Sequence, residues 1–405
     1  MAPIESRSGQ SGAALLLMML VVVVGAAAIL VTKLNRNSTN FAQSTATQEA
    51  LADAKDALLS YALSYPDTHN NAATQLPCPD LDGSGSTLDG EAHTLNCGAS
   101  EVSMLGRLPW KTLGMAPPRD GAGECLWYAV SGAYKSAGGA TAAMINPDSN
   151  GQFELYQSET GALIEGQTPD ERPVAVIIAP GAAIDTQSRQ AVSLPGQQCS
   201  GDFMLPSFLE SDSGSGVSNA VLTGGTGLEQ FVRAAGTLDD LNDRIITISR
   251  LEMADLVFQR HDFDTSIAAL THMLARCVAA YGLSNPGGPN DLRLPWPAPV
   301  ALTDYRVDAQ YDDVAGGLLS GRLADTVGDS NALTSNPISQ VVANCDPAVV
   351  PGWGPEMFTL WQNWKDHIFY YVAESFSPAA SLPSACTNCI TVNGGGQYAG
   401  VVIFA

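Results

Sequence analysis

Hydrophobic and polar positions alternate on two different scales along this chain. From Ala13 to Thr32 there are twenty residues without a charge. As a helix that run spans roughly 30 Å, the thickness of a bilayer core. A polar leader ending at Gly12 precedes it, with Arg7 on that side and Lys33 and Arg36 on the other, so flanking charge does not set an orientation. From 40 to 65 the chain has neither Gly nor Pro, and Leu51, Ala54, Leu58, Tyr61 or Ala62, and Tyr65 recur at spacings of three and four. Pro66 is the expected stop. The pattern predicts one helix from Ala13 to Tyr65, about 80 Å long, apolar on all sides in its first half and amphipathic in its second.

A second helical pattern covers Ser249 to Tyr281. Leu251, Leu256, Ile267, Leu270, Leu274 and Val278 form its apolar face, and Gly282 and Pro286 follow as stop signals. Between the helices, PVAVIIAPG (173–181) reads as a central strand, LWYAVSGAYK (126–135) fits strand or helix with its aromatic and Val content favouring strand near Trp127–Ser131, and 209–227 is Ser/Gly-rich loop. Short segments echo one another in the same order. ALLSYALSYPD (57–67) resembles CVAAYGLSNPG (277–287), and QLPCPD (75–80) resembles RLPWPA (293–298). LGRLP (105–109) is echoed by SGRLA (320–324), CLWYAVSGAYKS (125–136) by HIFYYVAESFSP (367–378), and PVAVIIAPG by YAGVVIFA (398–405). A fixed order of echoes is the mark of an internal repeat. The expected fold is α+β: a long N-terminal helix carrying two similar antiparallel-sheet modules, the second led by its own long helix. The expected divisions are a leader (1–12), the helix (13–65), a first module (66–245) and a second (246–405).

The formal charge of -22 argues against nucleic acid as a partner, since that needs basic patches to displace counterions. Eight cysteines follow the apolar segment, and an even number beyond a membrane-targeting run points to disulfides in an oxidising compartment. Cys78, Cys97, Cys125, Cys199, Cys386 and Cys389 are the candidates, and Cys78 with Cys97 would close the acidic loop between them. The remaining connectivity is open.

The polar leader ending in Gly12, the apolar run Ala13–Thr32 and the amphipathic continuation to Tyr65 together resemble the N-terminus of a type IV pilin or type II secretion pseudopilin. The resemblance covers about 65 residues. It implies cleavage after Gly12 by a prepilin peptidase and methylation of the new N-terminus, Ala13. It further implies residence in the inner membrane with a periplasmic body, then packing against other pilin or pseudopilin subunits in a filament. Major pilins carry a glutamate at the fifth mature position, which here is Leu17. That carboxylate neutralises a neighbour's N-terminal amine in an apolar core, where an unpaired charge is costly. Some minor subunits lack it, including the tip pseudopilin. The resemblance therefore implies a minor, tip-located subunit supporting assembly, adhesion or secretion. The alternatives are a membrane-anchored periplasmic enzyme and an adhesion or binding module outside any filament.

The chemistry-bearing motifs are few. Asp80, Asp82, Ser84, the Ser86 carbonyl and Glu91 match the spacing of a twelve-residue calcium loop, with Gly85 at the sixth place. Pro77 and Pro79 forbid an incoming helix, so Ca2+ would sit in a loop without a helix pair. Cys386-Thr-Asn-Cys389 has redox-motif spacing without the helix-opening context, and reads as structural. Zinc is not expected, because neither a second CxxC nor a His pair stands at ligand spacing. None of the five histidines falls in a catalytic triad pattern, and GxSxG, HExxH and P-loop motifs are absent, so no enzyme is expected. Asp312 and Asp313 read as solvated charges. Phe358, Trp361, Trp364 and Ile368 fall at helical spacing and read as core.

Overall fold

The computed structural model describes residues 11–69, 74–81, 89–93, 97–99, 101–135, 145–184, 187–189, 198–199, 203–234, 241–284, 292–316, 318–328, 341–342, 345–381 and 386–405. Helix α1 runs from Ser11 to Thr68 and passes through Pro66, three residues beyond the stop expected at Tyr65. A proline in the last turn removes one hydrogen bond and leaves the rest of the ladder intact. The Tyr65 carbonyl accepts from the Thr68 hydroxyl at 3.2 Å and lies 3.1 Å from His69 Nδ1, while the His69 ring stacks on Tyr65 at 3.9 Å.

The second helical pattern divides into α2 (Arg250–Gln259) and α3 (Phe263–Ser284). Ser249 caps α2: its side chain accepts from the Glu252 amide and the Glu252 carboxylate accepts from the Ser249 amide. The break, where one helix was expected, has a tertiary cause. Arg260 donates to the Leu63 carbonyl at 2.8 Å and pairs with Asp67 at 2.7 Å and Asp262 at 2.8 Å, so the end of α1 holds it out of helical register. Helix α2 packs against α1, with Met253 in the same core as Ala54 and Leu58. Leu251, expected on the apolar face, is 66% exposed.

Strands β1 (Met104–Arg107), β2 (Trp127–Val130), β5 (Ala175–Ala179) and β7 (Arg244–Ile248) form an antiparallel sheet in that order. One face, with Tyr128, Val130, Ala175, Ile177 and Ile248, covers Ala50, Leu51, Ala54, Leu58 and Ala62 of α1. The other face, with Trp127, Ala129, Val176 and Ile178, packs on β3 (Phe153–Gln157) and β6 (Glu229–Arg233), which pair in parallel beside β4 (Ala162–Glu165). Burial on both faces explains why β5 reads as an unbroken apolar run.

A second core gathers around α3. Ile267, Leu270, Leu274, Cys277, Val278 and Tyr281 pack against Trp361, Trp364, Ile368, Tyr370 and Val372. The aromatic pair Trp361 and Trp364 comes from α4 (Pro355–Trp364), as the helical spacing implied. The sheet here has the order β12 (Gly400–Phe404), β9 (Ile368–Val372), β8 (Ser320–Arg322), and an exposed hairpin of β10 (Ile390–Val392) and β11 (Gly395–Tyr398) precedes β12. Among the described residues, α3 is long and apolar enough to cross a membrane, yet one of its faces lies in this core. Asp313, expected in solvent, is buried, and its amide donates to the Thr326 carbonyl at 2.8 Å.

The same hydrogen-bond path occurs in both halves. β1 and β2 pair with Arg107 opposite Trp127, and β8 and β9 with Arg322 opposite Phe369. β2 and β5 pair with Val130 opposite Ala175, and β9 and β12 with Val372 opposite Gly400. Asp80 exchanges two backbone bonds with Arg107, and Ala298 does so with Arg322. The Leu76 amide donates to Tyr134 and the Leu294 amide to Phe376, both at 2.8 Å, at the ends of short 3-10 turns. Each arginine lies over the ring beside it, Arg107 at 3.9 Å from Trp127 and Arg322 at 5.1 Å from Phe369. These positions are the ones the sequence echoes align.

Disulfides join Cys78–Cys97, Cys125–Cys199, Cys277–Cys345 and Cys386–Cys389. Cys277 and Cys345 were not among the expected pairs. Cys277 lies inside a helix, where its position on the apolar face looked like ordinary packing.

The glycines at the repeated crossing carry a clear expectation. A Cβ on Gly106 would lie 2.5 Å from the Asp80 carbonyl, and one on Gly321 would lie 2.1 Å from that of Ala298. Gly106→Ala and Gly321→Ala should each destabilise the fold by about 1–3 kcal/mol, read by denaturant unfolding. Unchanged midpoints for both would mean that the close approach is not a constraint.

Candidate functional site

Gly12 and Ala13 lie in the first turn of α1. From Leu15 to Val24 every side chain is 59% to 72% exposed, although none is polar. Such a surface needs lipid or protein around it, since exposed apolar patches of this kind are rare on soluble monomers. The helix changes character near residue 44, where side chains begin to alternate between solvent and core. That contrast within one uninterrupted element is the clearest functional feature of the chain.

Of the expected calcium ligands, Asp82, Ser84 and Ser86 lie outside the described residues. Asp80 is 1% exposed, and its Oδ2 accepts from the Gly90 amide at 2.8 Å. Glu91 is exposed. Asp89 is buried close to Asp80 in sequence, and its Oδ2 accepts from the Gln198 amide at 3.0 Å. The two ends of the loop are therefore pinned by side-chain to backbone bonds and by the Cys78–Cys97 link.

A cavity of about 550 Å3 opens between the two sheet systems. Ser149 and Tyr305 meet across it, oxygen to oxygen at 2.6 Å, and Arg306 spans it to Glu101 at 2.9 Å. Arg306 also holds Asp304 at 3.0 Å, which keeps the Asp304 carboxyl below its ordinary range. Nearby the Ile145 amide donates to Asn363 Oδ1 at 3.0 Å, and Asn146 Nδ2 donates to Asp366 Oδ1 at 2.7 Å. Asp148, Asp366 and His367 bring three ligand-type atoms within 4.8 Å of one another on this seam. Asp366 is buried, and that burial pushes its carboxyl up to about 6. No family model, curated protein or solved structure matches this chain.

The sequence reading missed this group for a geometric reason. Asp148 is 218 residues from Asp366, and local spacing signals only ligands that share a turn or helix. The lining mixes charged, polar and apolar residues, and among them Arg172 Nε and Arg322 Nη1 are buried without a hydrogen-bond partner.

A second acidic pair is structural. Glu210 and Asp243 are buried together: Asp243 Oδ2 accepts from the Glu210 amide at 3.0 Å and from Asn219 at 2.9 Å, while Glu210 accepts from Gln187 at 2.7 Å. Burial, and then the neighbouring Glu210 charge, raises the Asp243 carboxyl well above its usual range. Glu210 is raised too, chiefly by burial. The folded chain thus keeps a proton that the unfolded chain releases near pH 4. This contribution is full below that value and is lost as pH climbs toward the raised folded value. Asp243→Asn should flatten the fall in thermal midpoint as pH rises above the ordinary carboxylate range. Parallel midpoint curves for the variant and the parent would refute it.

Proposed function

We propose that this chain is a minor, tip-located subunit of a type IV pilus or type II secretion pseudopilus, with no catalytic activity of its own. One observation carries the reading: α1 is a single helix that exposes the apolar side chains from Leu15 to Val24, while Ala50, Leu51, Ala54, Leu58 and Ala62 further along it are buried in the body. A plain membrane tether needs no rigid continuation into the folded domain. A helix that must first sit in the inner membrane and then stack beside other helices needs both parts in one rod. Leu17, where an assembly glutamate would otherwise stand, is consistent with a position that has no neighbouring amine to neutralise. The prepilin peptidase would cut after Gly12, and the new N-terminus, Ala13, would be methylated.

On this reading the matched strand registers make the body two copies of one module. The first is led by α1 and the second by α3, which lacks an apolar extension and so stays within the body. The calcium reading of Asp80, Asp82, Ser84, Ser86 and Glu91 belongs to the first copy alone, because Ala298 replaces Asp80 in the second. Its check is a thermal melt with and without chelator: bound Ca2+ raises the midpoint by mass action, and an unchanged midpoint would remove the ion from this account. An anchored enzyme or binding module is the second reading, favoured by the polar cavity at the seam.

Intact mass of the protein from membranes of cells containing the peptidase decides between them. A chain beginning with N-methylated Ala13 is expected, and Gly12→Val should retain the leader. A chain that still begins at Met1 or Ala2 in the parent would exclude the filament reading.

A further inference from the structure

We propose that Asp148, Asp366 and His367 bind one divalent cation of the zinc class, which clamps the loop around Asn146 to the end of α4. His367 Nδ1 lies 2.9 Å from the Ala405 carbonyl. A carbonyl only accepts, so Nδ1 carries the proton and the lone pair of the neutral ring is on Nε2. This is the arrangement by which metal-binding imidazoles are oriented. Nε2 points at Asp148 Oδ2, 3.6 Å away, and at Asp366 Oδ2, 3.8 Å away. Three acceptor atoms therefore face one another.

The independent observation is Asp366 itself. Its side chain is 2% exposed, one oxygen is held by Asn146, and Oδ2 faces Asp148 and His367 with no donor within hydrogen-bond distance. Leaving a buried carboxylate oxygen unmet is costly. The nearby cations are committed elsewhere: Lys365 to Asp308 at 2.5 Å, and Arg306 to Glu101 and Asp304. A protonated His367 does not resolve the matter, because 3.6 and 3.8 Å exceed hydrogen-bond reach. An ion does. Zinc bonds of about 2.0–2.2 Å put neighbouring ligand atoms about 3.3–3.6 Å apart, a small contraction from the spacing present.

The site is also built to receive one. The His367 ring is fixed between Trp364 and Phe404, at centroid distances of 5.5 and 5.9 Å. Asp148 is exposed and lines the cavity, which supplies an entry path. One imidazole with two carboxylates favours zinc or its neighbours over calcium and magnesium, which prefer all-oxygen sets. The proposal is independent of the filament reading and concerns the seam alone.

The test is calorimetric titration of the chelator-stripped, full-length protein with ZnCl2, with CaCl2 and MgCl2 as comparisons. One zinc per chain is expected, with micromolar or tighter affinity at pH 7.5 and a raised thermal midpoint. Asp148→Asn and His367→Gln should each weaken zinc at least tenfold. Asp148 is exposed, so its variant should keep the parent's metal-free midpoint. No zinc binding by the parent would overturn the proposal, as would parental affinity in both variants. Equal affinity for calcium and zinc would overturn the assignment of His367 as a ligand.

Discussion

Ala54, Leu58 and Ala62 lie against Tyr128, Val130, Ala175 and Ile177, and most of the chain is arranged by that contact. Small residues on the helix let its backbone approach the sheet closely, and the aromatic and β-branched residues of the strands fill the remaining space. The sheet can then be apolar on both faces, because β3 and β6 cover the side that α1 does not. Helix α3 repeats the arrangement with larger side chains, Leu270, Leu274 and Val278, against Tyr370 and Val372.

The contact also sets how α1 behaves outside the body. The apolar side chains from Leu15 to Val24 belong to the same helix and lie outside the core. On the proposed reading this geometry serves both stages of the protein's life. Under that proposal lipid would cover this stretch before assembly, and neighbouring helices afterwards.

The two halves meet through α2, whose Met253 lies in the first core and Val257 against the second, and through polar contacts across the cavity. Ser149 with Tyr305, Asn146 with Asp366, and Glu101 with Arg306 cross the seam, each a directional bond that fixes register between surfaces. Interfaces of this kind leave room for water and ions, and the unmet Asp366 oxygen lies among them.

The amphipathic helix ahead of Pro66 and the strands Trp127–Val130 and Ala175–Ala179 were legible in the sequence, because each rests on local periodicity, and the Cys78–Cys97 link because it closes a short loop. What stayed hidden depends on partners distant in the chain. The break at Arg260 comes from the end of α1, Asp313 is buried where its amide meets the Thr326 carbonyl, and the Cys277–Cys345 link comes from a helix meeting a loop. The cluster of Asp148, Asp366 and His367 belongs to the same class. Sequence alone determined which stretches must be buried and which must meet lipid or protein, since hydrophobic pattern is a property of neighbours along the chain. Only the tertiary structure decided which polar groups face one another across the cavity, because that proximity joins residues more than two hundred positions apart in the chain.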